Sequence, residues 1–419
     1  MNVFEAAEKR IEWTLQTFDY CYVSFSGGKD SGVMLELTAQ VAARLGKRWG
    51  IYHMDYEAQY QLTTDYVRQT LAKYASVADI YHICVPFKVT TCTSMFQKYW
   101  RPWDESMSEL WVRPMPDGAM TAKDFDFYTP GQWDYDFQNS FGLWLGRQRG
   151  KVACLVGIRT DESLNRWRTI HAERENRRNY GGKDFTTDMG GYVAVYPIFD
   201  WTTEDVWTAN AREHWEYNKL YDMMYWAGVP LHKMRVASPF LSEGQEALRL
   251  YQVIEPDTWG KLVGRVNGVN FAGLYGGTTM MGWKTITKPA HFTWKEYMYF
   301  LLDTLPEETR NGYLAKLETS IKFWRERGGV LSDETIAELR AAGVDIEVGD
   351  TTNYNTSKKP VRMEYLDDID ITAFKEIPTY KRMCVCIIKN DHLCKYMGFS
   401  LTKDEMNRRK AIQEKYKNL

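Results

Sequence analysis

The sequence lacks the features that mark a membrane, secreted or strongly basic protein. Its 53 Lys and Arg residues are balanced by 55 Asp and Glu residues, and a net charge of −2 excludes a polycation that coats nucleic acid. The longest uncharged run, Val266–Trp283, contains five glycines among polar residues and is a poor membrane span. The first residues, Met1–Glu5, do not resemble a secretory signal. These absences predict a protein without membrane contact, located in the cytoplasm.

The sequence also has few cysteines and no CxxC pair. Seven scattered thiols, an odd number, exclude a disulfide framework and are typical of a reducing compartment. Aromatic residues are abundant instead, with 16 Trp and 27 Tyr in a composition that is 44% hydrophobic. A chain of 419 residues with this composition is globular and long enough for two or three domains.

Hydrophobic periodicity predicts alternating helices and strands in the first half of the chain. Apolar residues recur there at helical spacing or in short β-favouring runs. The predicted elements are helix 2–18, strand 20–25, helix 32–45, strand 49–54, helix 63–74 and strands 80–85, 152–156 and 193–196. Because such alternation builds parallel sheets with right-handed crossovers, the expected fold class is α/β, a doubly wound, Rossmann-like parallel sheet.

Two domains are predicted, at residues 1–235 and 236–419. Within the first, residues 86–150 form an aromatic-rich insertion that is too long for an ordinary connection in such a sheet. In the second, the alternation ends, and helical patterns at 307–327 and 333–342 predict a mainly helical region of unknown role.

The strongest chemical signal is the hexapeptide Ser26-Gly27-Gly28-Lys29-Asp30-Ser31, here called the phosphate loop. It lies between the first predicted strand and its helix. Two glycines let the backbone approach a polyphosphate closely, and the helix that follows offers unpaired N–H groups to an anion. Lys29 adds a mobile cation. The spacing matches neither the Walker A pattern nor GxGxxG. A Gly-Gly turn with a simple helix cap is the alternative interpretation.

Three segments of the sequence together resemble one family. They are the phosphate loop with Ser24 before it, the segment Gly157–Ser163 followed by Arg166, and the segment Tyr196–Trp207. In this order they are similar to the motifs of the phosphoadenosine phosphosulfate (PAPS) reductase family, which belongs to the PP-loop ATP pyrophosphatases of the adenine nucleotide alpha-hydrolase-like superfamily. The resemblance covers about residues 15–225. The segment 384–399 is similar to a branch typified by immunoglobulin-binding regulator A of enterobacteria.

The resemblance implies binding of ATP, or of a sulfonucleotide such as PAPS, together with Mg²⁺. It also implies cleavage of ATP between its α and β phosphates, with AMP passing to an acceptor that the sequence does not identify. The implied catalytic residues are Lys29, Asp30 and Arg159, and Asp30 is also an expected ligand of Mg²⁺. The nucleotide-binding residues expected from the matched motifs are Ser24, Ser26, Gly27, Gly28, Lys29, Asp30, Ser31, Gly157, Arg159, Glu162 and Arg166.

A further candidate for the nucleotide or its metal is Asp55, which follows the second predicted strand. The carboxyl ends of parallel strands form the binding edge of open α/β sheets, so Asp55 is expected there as a contact to ribose or Mg²⁺. Of the isolated histidines, only His53 is expected near this edge. The alternative interpretation is that Asp55 caps the next helix.

Basic residues are concentrated after the second motif. Between Ser163 and Lys183 there are six basic and two acidic residues, a local charge of +4 in a chain of net charge −2. The basic residues are Arg166, Arg168, Arg174, Arg177, Arg178 and Lys183. This asymmetry indicates an anionic ligand, and nucleic acid is a candidate partner for the cluster. A solvated helix face would give the same run of charge.

Four residues near the end of the sequence have a spacing found in zinc sites. They are Cys384, Cys386, His392 and Cys394. The neighbouring apolar residues have helical period, however, and residues two apart on a helix point about 200° apart. Cys384 and Cys386 would then not bind one ion. Zinc or an iron–sulfur cluster is therefore disfavoured, and buried thiols that pack as small hydrophobic groups are favoured.

Two activities of related proteins are disfavoured by what the sequence lacks. It has no C-terminal Glu-Cys-Gly-x-His segment, which carries the attacking thiol of PAPS reduction, and no CxxC pair of the kind used in tRNA thiolation. Two other functions stay open beside adenylyl transfer. One is a regulator that binds nucleotide without turnover and acts with a ParB/sulfiredoxin-like partner in gene regulation or defence. The other is sulfur transfer to nucleic acid, as in DNA phosphorothioation.

Overall fold

The computed structural model describes residues 2–171, 179–241, 244–275, 286–350 and 357–399. Within them the chain forms two compact units. Unit 1 comprises residues 2–89 and 99–265, and unit 2 comprises residues 90–98 and 266–399. The chain thus changes unit after Arg265, which is later in the sequence than the predicted domain boundary at residue 235.

Unit 1 is built on a sheet. Its strands are β1 (Tyr20–Ser24), β2 (Trp49–Met54), β3 (Ala78–Ile83), β5 (Tyr99–Trp100), β6 (Val152–Val156), β7 (Thr186–Asp188) and β8 (Val193–Val195), and β4 (Val89–Thr90) begins in unit 1 and ends in unit 2. Six of them form one sheet in the order β3-β2-β1-β6-β8-β7. All neighbours run parallel except β7, which pairs antiparallel with β8. The predicted doubly wound parallel sheet is confirmed, with one antiparallel edge strand that the periodicity did not predict.

Helices flank this sheet. They are α1 (Val3–Thr17), α2 (Lys29–Leu45), α3 (Gln61–Tyr74), α4 (Asp134–Arg149), α5 (Leu164–His171), α6 (Thr203–Glu213), α7 (Leu220–Trp226), α8 (Tyr251–Ile254) and α9 (Pro256–Arg265). Apolar side chains of β1, β2 and β6 pack with those of α1 and α2 in one buried core, which includes Val23, Leu37 and Leu155. The central strands are nearly continuous apolar runs because a parallel sheet is covered on both faces.

Helix α2 begins at Lys29 rather than at the predicted residue 32. Gly28 is its N-cap, with the extended conformation φ −87°, ψ 165° that suits this position. The helix ends at Gly46, whose left-handed φ of 61° terminates it. Lys29 and Asp30 therefore lie in the first turn, near the positive end of the helix dipole.

The strand order reverses at β1. From β1 the chain crosses to β2 and β3 on one side, and it later returns to β6 on the other side. In such a sheet the connections leave a crevice at the carboxyl ends of the strands where the order reverses. The phosphate loop follows β1 and Gly157 follows β6, so both border this crevice.

The predicted insertion at residues 86–150 has several parts. Its last residues form α4, which leads directly into β6. An aromatic cluster packs there, with the Phe125 ring edge-on to Phe137 and Trp144 at centroid distances of 5.2 and 5.5 Å. Residues 90–98 belong to unit 2.

Unit 2 is mainly helical, as predicted, with a small sheet. Its helices are α10 (Val269–Tyr275), α11 (Trp294–Asp303), α12 (Glu307–Glu326), α13 (Asp333–Ala341) and α14 (Tyr380–Ile388). The strands β9 (Gly329–Leu331), β10 (Ile346–Val348) and β11 (Lys359–Met363) form an antiparallel sheet in the order β10-β11-β9. Strands of three to five residues are too short to show a period, so the sequence did not predict them. Among the described helices, none is long and apolar enough to cross a bilayer.

Candidate functional site

The conformation of the phosphate loop depends on Gly27. Its φ of 77° is left-handed, and a Cβ atom there would lie 2.9 Å from Val67 Cγ2 in α3. The Gly27 carbonyl accepts a 3.0 Å hydrogen bond from the amide of Asn218. Because Asn218 is fully buried and also donates to Thr63 Oγ1, it fixes the loop against α3. Sequence reasoning missed Asn218, since nothing nearby in the sequence marks it.

The two predicted phosphate-binding serines bond to each other. The hydroxyl oxygens of Ser26 and Ser31 are 2.9 Å apart, and Ser31 Oγ accepts from the Ser26 N–H at 3.1 Å. The Ser31 hydroxyl also lies 3.1 Å from the Gly28 carbonyl, to which it donates. The serines therefore hold the loop curved. Ser24, a further predicted contact, is the last residue of β1.

Lys29, Asp30 and Arg159 meet at the start of α2. Asp30 Oδ2 accepts from Lys29 Nζ at 2.9 Å, and Asp30 Oδ1 accepts from Arg159 Nε at 2.5 Å. Lys29 and Arg159 are both buried, with exposed fractions of 7% and 2%. Arg159 Nη1 also lies 3.4 Å from the exposed carboxylate of Asp161, so the two buried cations face two carboxylates that are partly open to solvent. The dipole of α2 adds positive potential at this point. A polyphosphate that displaced these carboxylates would meet two cations at a helix N-terminus.

Arg159 connects segments that are far apart in the sequence. Its Nη1 donates to the Trp201 carbonyl at 3.4 Å and its Nη2 to Thr203 Oγ1 at 3.3 Å. Gly157 allows the close approach of this segment to α2, because a Cβ atom on Gly157 would lie only 2.9 Å from the Asp30 carbonyl oxygen. The three motifs recognised in the sequence therefore come together at one point.

Glu162 brings two further arginines together. Arg166 Nε lies 3.5 Å from Glu162 Oε2, and Arg235 Nη1 lies 3.8 Å from Glu162 Oε1. Arg235 also donates to the Glu162 carbonyl at 3.1 Å. Within the predicted basic cluster, Lys183 lies over the Trp13 ring, 5.8 Å from its centroid. The residues Arg174, Arg177 and Arg178 and the side chain of Arg168 lie outside the described residues.

Tyr221 in α7 contacts the phosphate loop, although no sequence motif indicated this contact. Its hydroxyl oxygen accepts a 3.0 Å hydrogen bond from the Lys29 N–H. Burial, and then the nearby Asp30 carboxylate, raises the pKa of Tyr221 far above its usual range, so the hydroxyl stays protonated. A hydroxyl that accepts from Lys29 keeps its own proton for donation. Tyr221 is therefore a donor at the rim of the loop.

Asp55 lies at the carboxyl end of β2, where it was expected, and is buried in a second polar group. Its Oδ1 accepts from Arg113 Nη2 and, at 2.9 Å, from the Glu57 N–H, while its Oδ2 lies 2.8 Å from His82 Nε2. Burial raises the pKa of Asp55, but Arg113 and the His82 hydrogen bond outweigh it and hold this pKa well below its usual range. Asp55 does not cap α3, whose N-cap is Tyr60.

Glu57 ties this second group to distant parts of unit 1. Its fully buried carboxylate accepts from Arg265 Nε at 2.9 Å and Nη2 at 3.1 Å, and from the backbone N–H groups of Trp103 and Val112 at 2.8 and 3.0 Å. Sequence reasoning missed these residues because their partners lie far apart along the chain. We call His53, Asp55, Glu57, His82, Arg113 and Arg265 the β2-edge cluster.

Two histidines complete the β2-edge cluster. His53 in β2 and His82 in β3 are register partners, with ring centroids 5.2 Å apart. His53 Nδ1 donates to the carbonyl of Phe25, the residue directly before the phosphate loop, at 2.8 Å. Burial lowers the pKa of His53 to about 4, so its ring is neutral near pH 7. His53 was expected near the edge, and the alignment of the predicted strands would have been the signal for His82.

The predicted Mg²⁺ ligands, Asp30 and Asp55, are engaged by other groups. Mg²⁺ binds oxygen atoms in near-ideal octahedral geometry. Both oxygens of Asp30 bond cations, and both oxygens of Asp55 bond the arginine, amide and imidazole described above. In this arrangement the two carboxylates fit Mg²⁺ poorly, and their role as its ligands stays a prediction.

The predicted zinc ligands of unit 2 do not come together as a set. Cys384 and Cys386 lie in α14, where the Cys384 thiol donates to the Trp294 carbonyl at 3.5 Å. His392 Nε2 donates instead to a backbone carbonyl 2.8 Å away. Burial raises the pKa of Cys384 to about 12 and that of Cys386 well above its usual range. Together with Cys394, these thiols are part of a buried apolar core.

Comparison with known proteins gives three sequence matches. The phosphoadenosine phosphosulfate reductase domain family matches residues 20–227, and a domain of unknown function, DUF3440, matches residues 228–408. A protein of Escherichia coli (strain K12) named uncharacterized protein YbdN is 36% identical over 411 residues, which is 97% of this chain and 92% of that protein. The similarity to this relative therefore extends over both units.

The solved structures that match this chain include two with low TM-scores. One is the PAPS reductase from Candida auris in a phosphate complex, which is 16% identical over 56% of this chain and 88% of that chain, with a TM-score of 0.31. The other is the U34-tRNA thiolase NcsA from Methanococcus maripaludis with its 4Fe-4S cluster, 11% identical over 69% of this chain and 85% of that chain, also with a TM-score of 0.31. At these scores the family assignment rests on the sequence matches.

The reductase domain match contains the phosphate loop, Gly157, Arg159 and the third motif. These are the residues that meet where the strand order of the parallel sheet reverses. Residues 20–227 of the chain therefore belong to the PAPS reductase domain family, as the motifs predicted, and the chain as a whole is related to YbdN.

Proposed function

We propose that the chain binds ATP at the phosphate loop, cleaves it between the α and β phosphates, and passes AMP to an acceptor. The observation that supports this most is the pair of buried cations, Lys29 and Arg159, on either side of Asp30 at the start of α2. Backbone N–H groups at a helix N-terminus and two adjacent cations are the groups that bind phosphate oxygens. PAPS would meet the same groups and is the alternative nucleotide.

The chemistry assigns different tasks to the two cations. A nucleophile of the acceptor forms a bond to the α phosphorus while the bond to the bridging oxygen breaks, and pyrophosphate leaves with the electron pair. Lys29 has a flexible side chain and can exchange Asp30 for the leaving pyrophosphate. Arg159 is held by Trp201 and Thr203 and would orient the α phosphate. Both stabilise the negative charge that grows on the leaving group.

Mg²⁺ would enter this reaction with the nucleotide. When bound to the phosphates it neutralises part of their charge. No step is assigned to the ion, because Asp30 and Asp55 already bond other groups. Dependence of turnover on Mg²⁺ is a prediction of the proposal.

The test uses ATP labelled at its α phosphorus, Mg²⁺ and the pure full-length protein, with products separated by chromatography. We expect AMP with pyrophosphate, or an adenylylated product. The Lys29→Ala variant should lose about 100-fold or more in rate, as expected when a group that stabilises the leaving charge is removed. The matched control is Lys73→Ala, because Lys73 Nζ bonds Glu36 at 2.8 Å and is not part of the phosphate loop.

Other products would contradict the proposal. Release of ADP would show cleavage between the β and γ phosphates instead of between the α and β phosphates. Binding of ATP without any product would favour a regulator that needs no turnover, and co-purification of a ParB/sulfiredoxin-like protein would then support that function. Equal rates for wild-type protein and Lys29→Ala would place the activity outside the phosphate loop.

A second candidate function, sulfur transfer to nucleic acid, is favoured by an exposed aromatic pair. Tyr225 and Trp226, at the end of α7, are 63% and 74% exposed and lie about one turn beyond Tyr221. Lys233 and Arg235 follow in the sequence. Exposed rings suit stacking with unpaired bases, and the basic residues that follow in the sequence add positive charge for phosphates.

The test of this second function is salt-dependent binding of a single-stranded oligonucleotide, measured by fluorescence anisotropy. Binding should weaken in Trp226→Ala and not in Tyr135→Ala, which removes a ring of comparable exposure, 67%, from α4. Wild-type protein that does not bind, or two variants that bind equally, would rule it out.

A further inference from the structure

Three metal-binding side chains lie together at the ends of β2 and β3. His53, Asp55 and His82 can each bring one ligand atom to within 4.8 Å of the other two. Across the residues that the structure describes, no other set of three His, Cys, Asp or Glu residues does so. The grouping follows from the sheet, because His53 and His82 are register partners and Asp55 follows His53 by two residues.

The spacing of two of these ligands resembles that of neighbours around one ion. Asp55 Oδ2 and His82 Nε2 are 2.8 Å apart. Two ligand atoms that each lie about 2.1 Å from an ion, at the tetrahedral angle that zinc prefers, are about 3.4 Å apart, so the two side chains would separate by about 0.6 Å on binding. An ion between them would take the place of the proton that His82 Nε2 now donates to Asp55.

A hydrogen bond at Nδ1 of His53 leaves its other ring nitrogen, Nε2, able to bind a metal ion. His53 Nδ1 lies 2.8 Å from the Phe25 carbonyl oxygen, which can only accept, so Nδ1 carries the proton. The lone pair is then on Nε2, as metal binding requires. A backbone carbonyl that holds the second nitrogen in this way is the usual support of a metal-binding histidine.

Asp55 is oriented in a comparable way. Its Oδ1 bonds Arg113 and the Glu57 N–H, while Oδ2 faces His82. Arg113 balances the charge of Asp55, and an ion held by this carboxylate and two neutral imidazoles would keep a net positive charge. Such an ion would attract hydroxide or another anion to its other coordination positions.

We propose that His53, Asp55 and His82 form a binding site for a divalent transition-metal ion of the zinc class at the carboxyl edge of the sheet. Two imidazoles and one carboxylate suit such an ion and not Mg²⁺, which prefers oxygen ligands. Three protein ligands leave a position open, as in catalytic zinc sites. The proposal does not depend on ATP cleavage, and it replaces Mg²⁺ as the expected ion at Asp55.

The test measures zinc binding to the full-length protein after removal of bound metal with a chelator. Equilibrium dialysis against Zn²⁺ with elemental analysis should give one ion per chain. The variant His82→Gln keeps an amide donor for Asp55 and removes the imidazole, and it should weaken zinc binding by more than about 100-fold. His232→Gln is the matched control, because His232 is exposed and lies outside the cluster. It should bind zinc as the wild type does.

Cobalt distinguishes this site from the cysteines of unit 2. Co²⁺ in place of zinc should give visible d–d bands without the near-ultraviolet thiolate charge-transfer band that cysteine ligands produce. Both the spectrum and the stoichiometry should be unchanged in Cys394→Ser. Circular dichroism checks the fold of each variant, and if His82→Gln does not fold, the wild-type cobalt spectrum still decides between imidazole and thiolate ligands.

Several outcomes would overturn the proposal. They are wild-type protein that binds no zinc, full zinc binding by His82→Gln, and a thiolate band that disappears in Cys394→Ser. None of these measurements uses nucleotide turnover, so a failure here is separate from a failure of the proposed ATP cleavage.

Discussion

Two clusters of charged side chains lie at the carboxyl edge of the same sheet and are built in opposite ways. At the phosphate loop, Lys29 and Arg159 both bond Asp30, and Arg159 also lies 3.4 Å from Asp161. In the β2-edge cluster, each of two arginines is matched by a carboxylate, and two histidines add nitrogen lone pairs. The carboxylates of the first cluster, Asp30 and Asp161, are 18% and 55% exposed, whereas Asp55 and Glu57 of the second are buried. An anion can therefore displace the carboxylates of the first cluster, whereas the second keeps its ion pairs and offers nitrogen ligands to a cation.

Substitutions in the two clusters should also differ in whether they reduce activity or stability. Asp30 is partly exposed and can release its cations when a phosphate arrives. Glu57 is fully buried, so removal of its charge leaves a buried arginine without its partner. Changes at the phosphate loop should therefore reduce activity first, and changes in the β2-edge cluster should reduce stability first.

The largest expected effect is the loss of stability in Glu57→Gln. Arg265 would lose its two-point ion pair while buried, and the free energy of unfolding should fall by about 3–5 kcal/mol. Urea unfolding followed by circular dichroism measures this change. The control Asp65→Asn removes an exposed pair with Arg68 and should cost less than about 1 kcal/mol. Similar losses in both variants would show that burial does not make the Glu57–Arg265 pair more costly to break.

The next effect is on turnover, in Arg159→Lys. Lysine keeps the charge but not the planar fork that bonds Asp30, Trp201 and Thr203 at once. The rate of AMP release should fall by about 100-fold, the usual cost of a lost transition-state donor, with little change in the urea midpoint. Arg44→Lys, at the other end of α2, should leave the rate unchanged. If Arg159→Lys unfolds at a lower urea concentration but releases AMP at the normal rate, then Arg159 contributes to stability and not to turnover.

The smallest effect separates two tyrosines of similar packing. Tyr217 and Tyr221 both lie edge-on to Trp207 with ring centroids 5.4 Å away, but only the Tyr221 hydroxyl bonds the Lys29 N–H. Tyr221→Phe should therefore slow AMP release about tenfold, the value of one hydrogen bond to a charged group, and Tyr217→Phe should not. Steady-state rates at saturating ATP make the comparison. Equal rates in the two variants would mean that the Tyr221 hydroxyl does not reach the nucleotide.

Local sequence patterns predicted those parts of the site that are formed by neighbouring residues in the sequence. The phosphate loop and the strands before Asp55 and Gly157 were predicted because each strand is a short apolar run followed by polar residues. The convergence of Asp30 and Arg159 then follows from the strand order. The helix α2 was predicted to begin too late, because its N-cap is a glycine and offers no capping side chain.

The other half of the site depends on contacts between distant residues. Arg113 and Arg265 lie in segments without regular alternation, and nothing in the sequence indicates that they pair with Asp55 and Glu57. Asn218 contacts Gly27 from a loop far along the chain. Such contacts depend on the packing of the whole unit, so they cannot be predicted from hydrophobic periodicity or motif spacing.

A single substitution at Gly157 would disable the phosphate loop and leave the remainder of the protein intact, which is useful in a genetic experiment. A side chain there would press on the backbone of Asp30, since even a Cβ atom would lie 2.9 Å from its carbonyl oxygen. Gly157→Val would thus displace the first turn of α2 without adding or removing a charge. A strain that carries this allele would still make the full chain with its surface side chains unchanged. Any phenotype lost in that strain could then be attributed to the phosphate loop rather than to the absence of the protein.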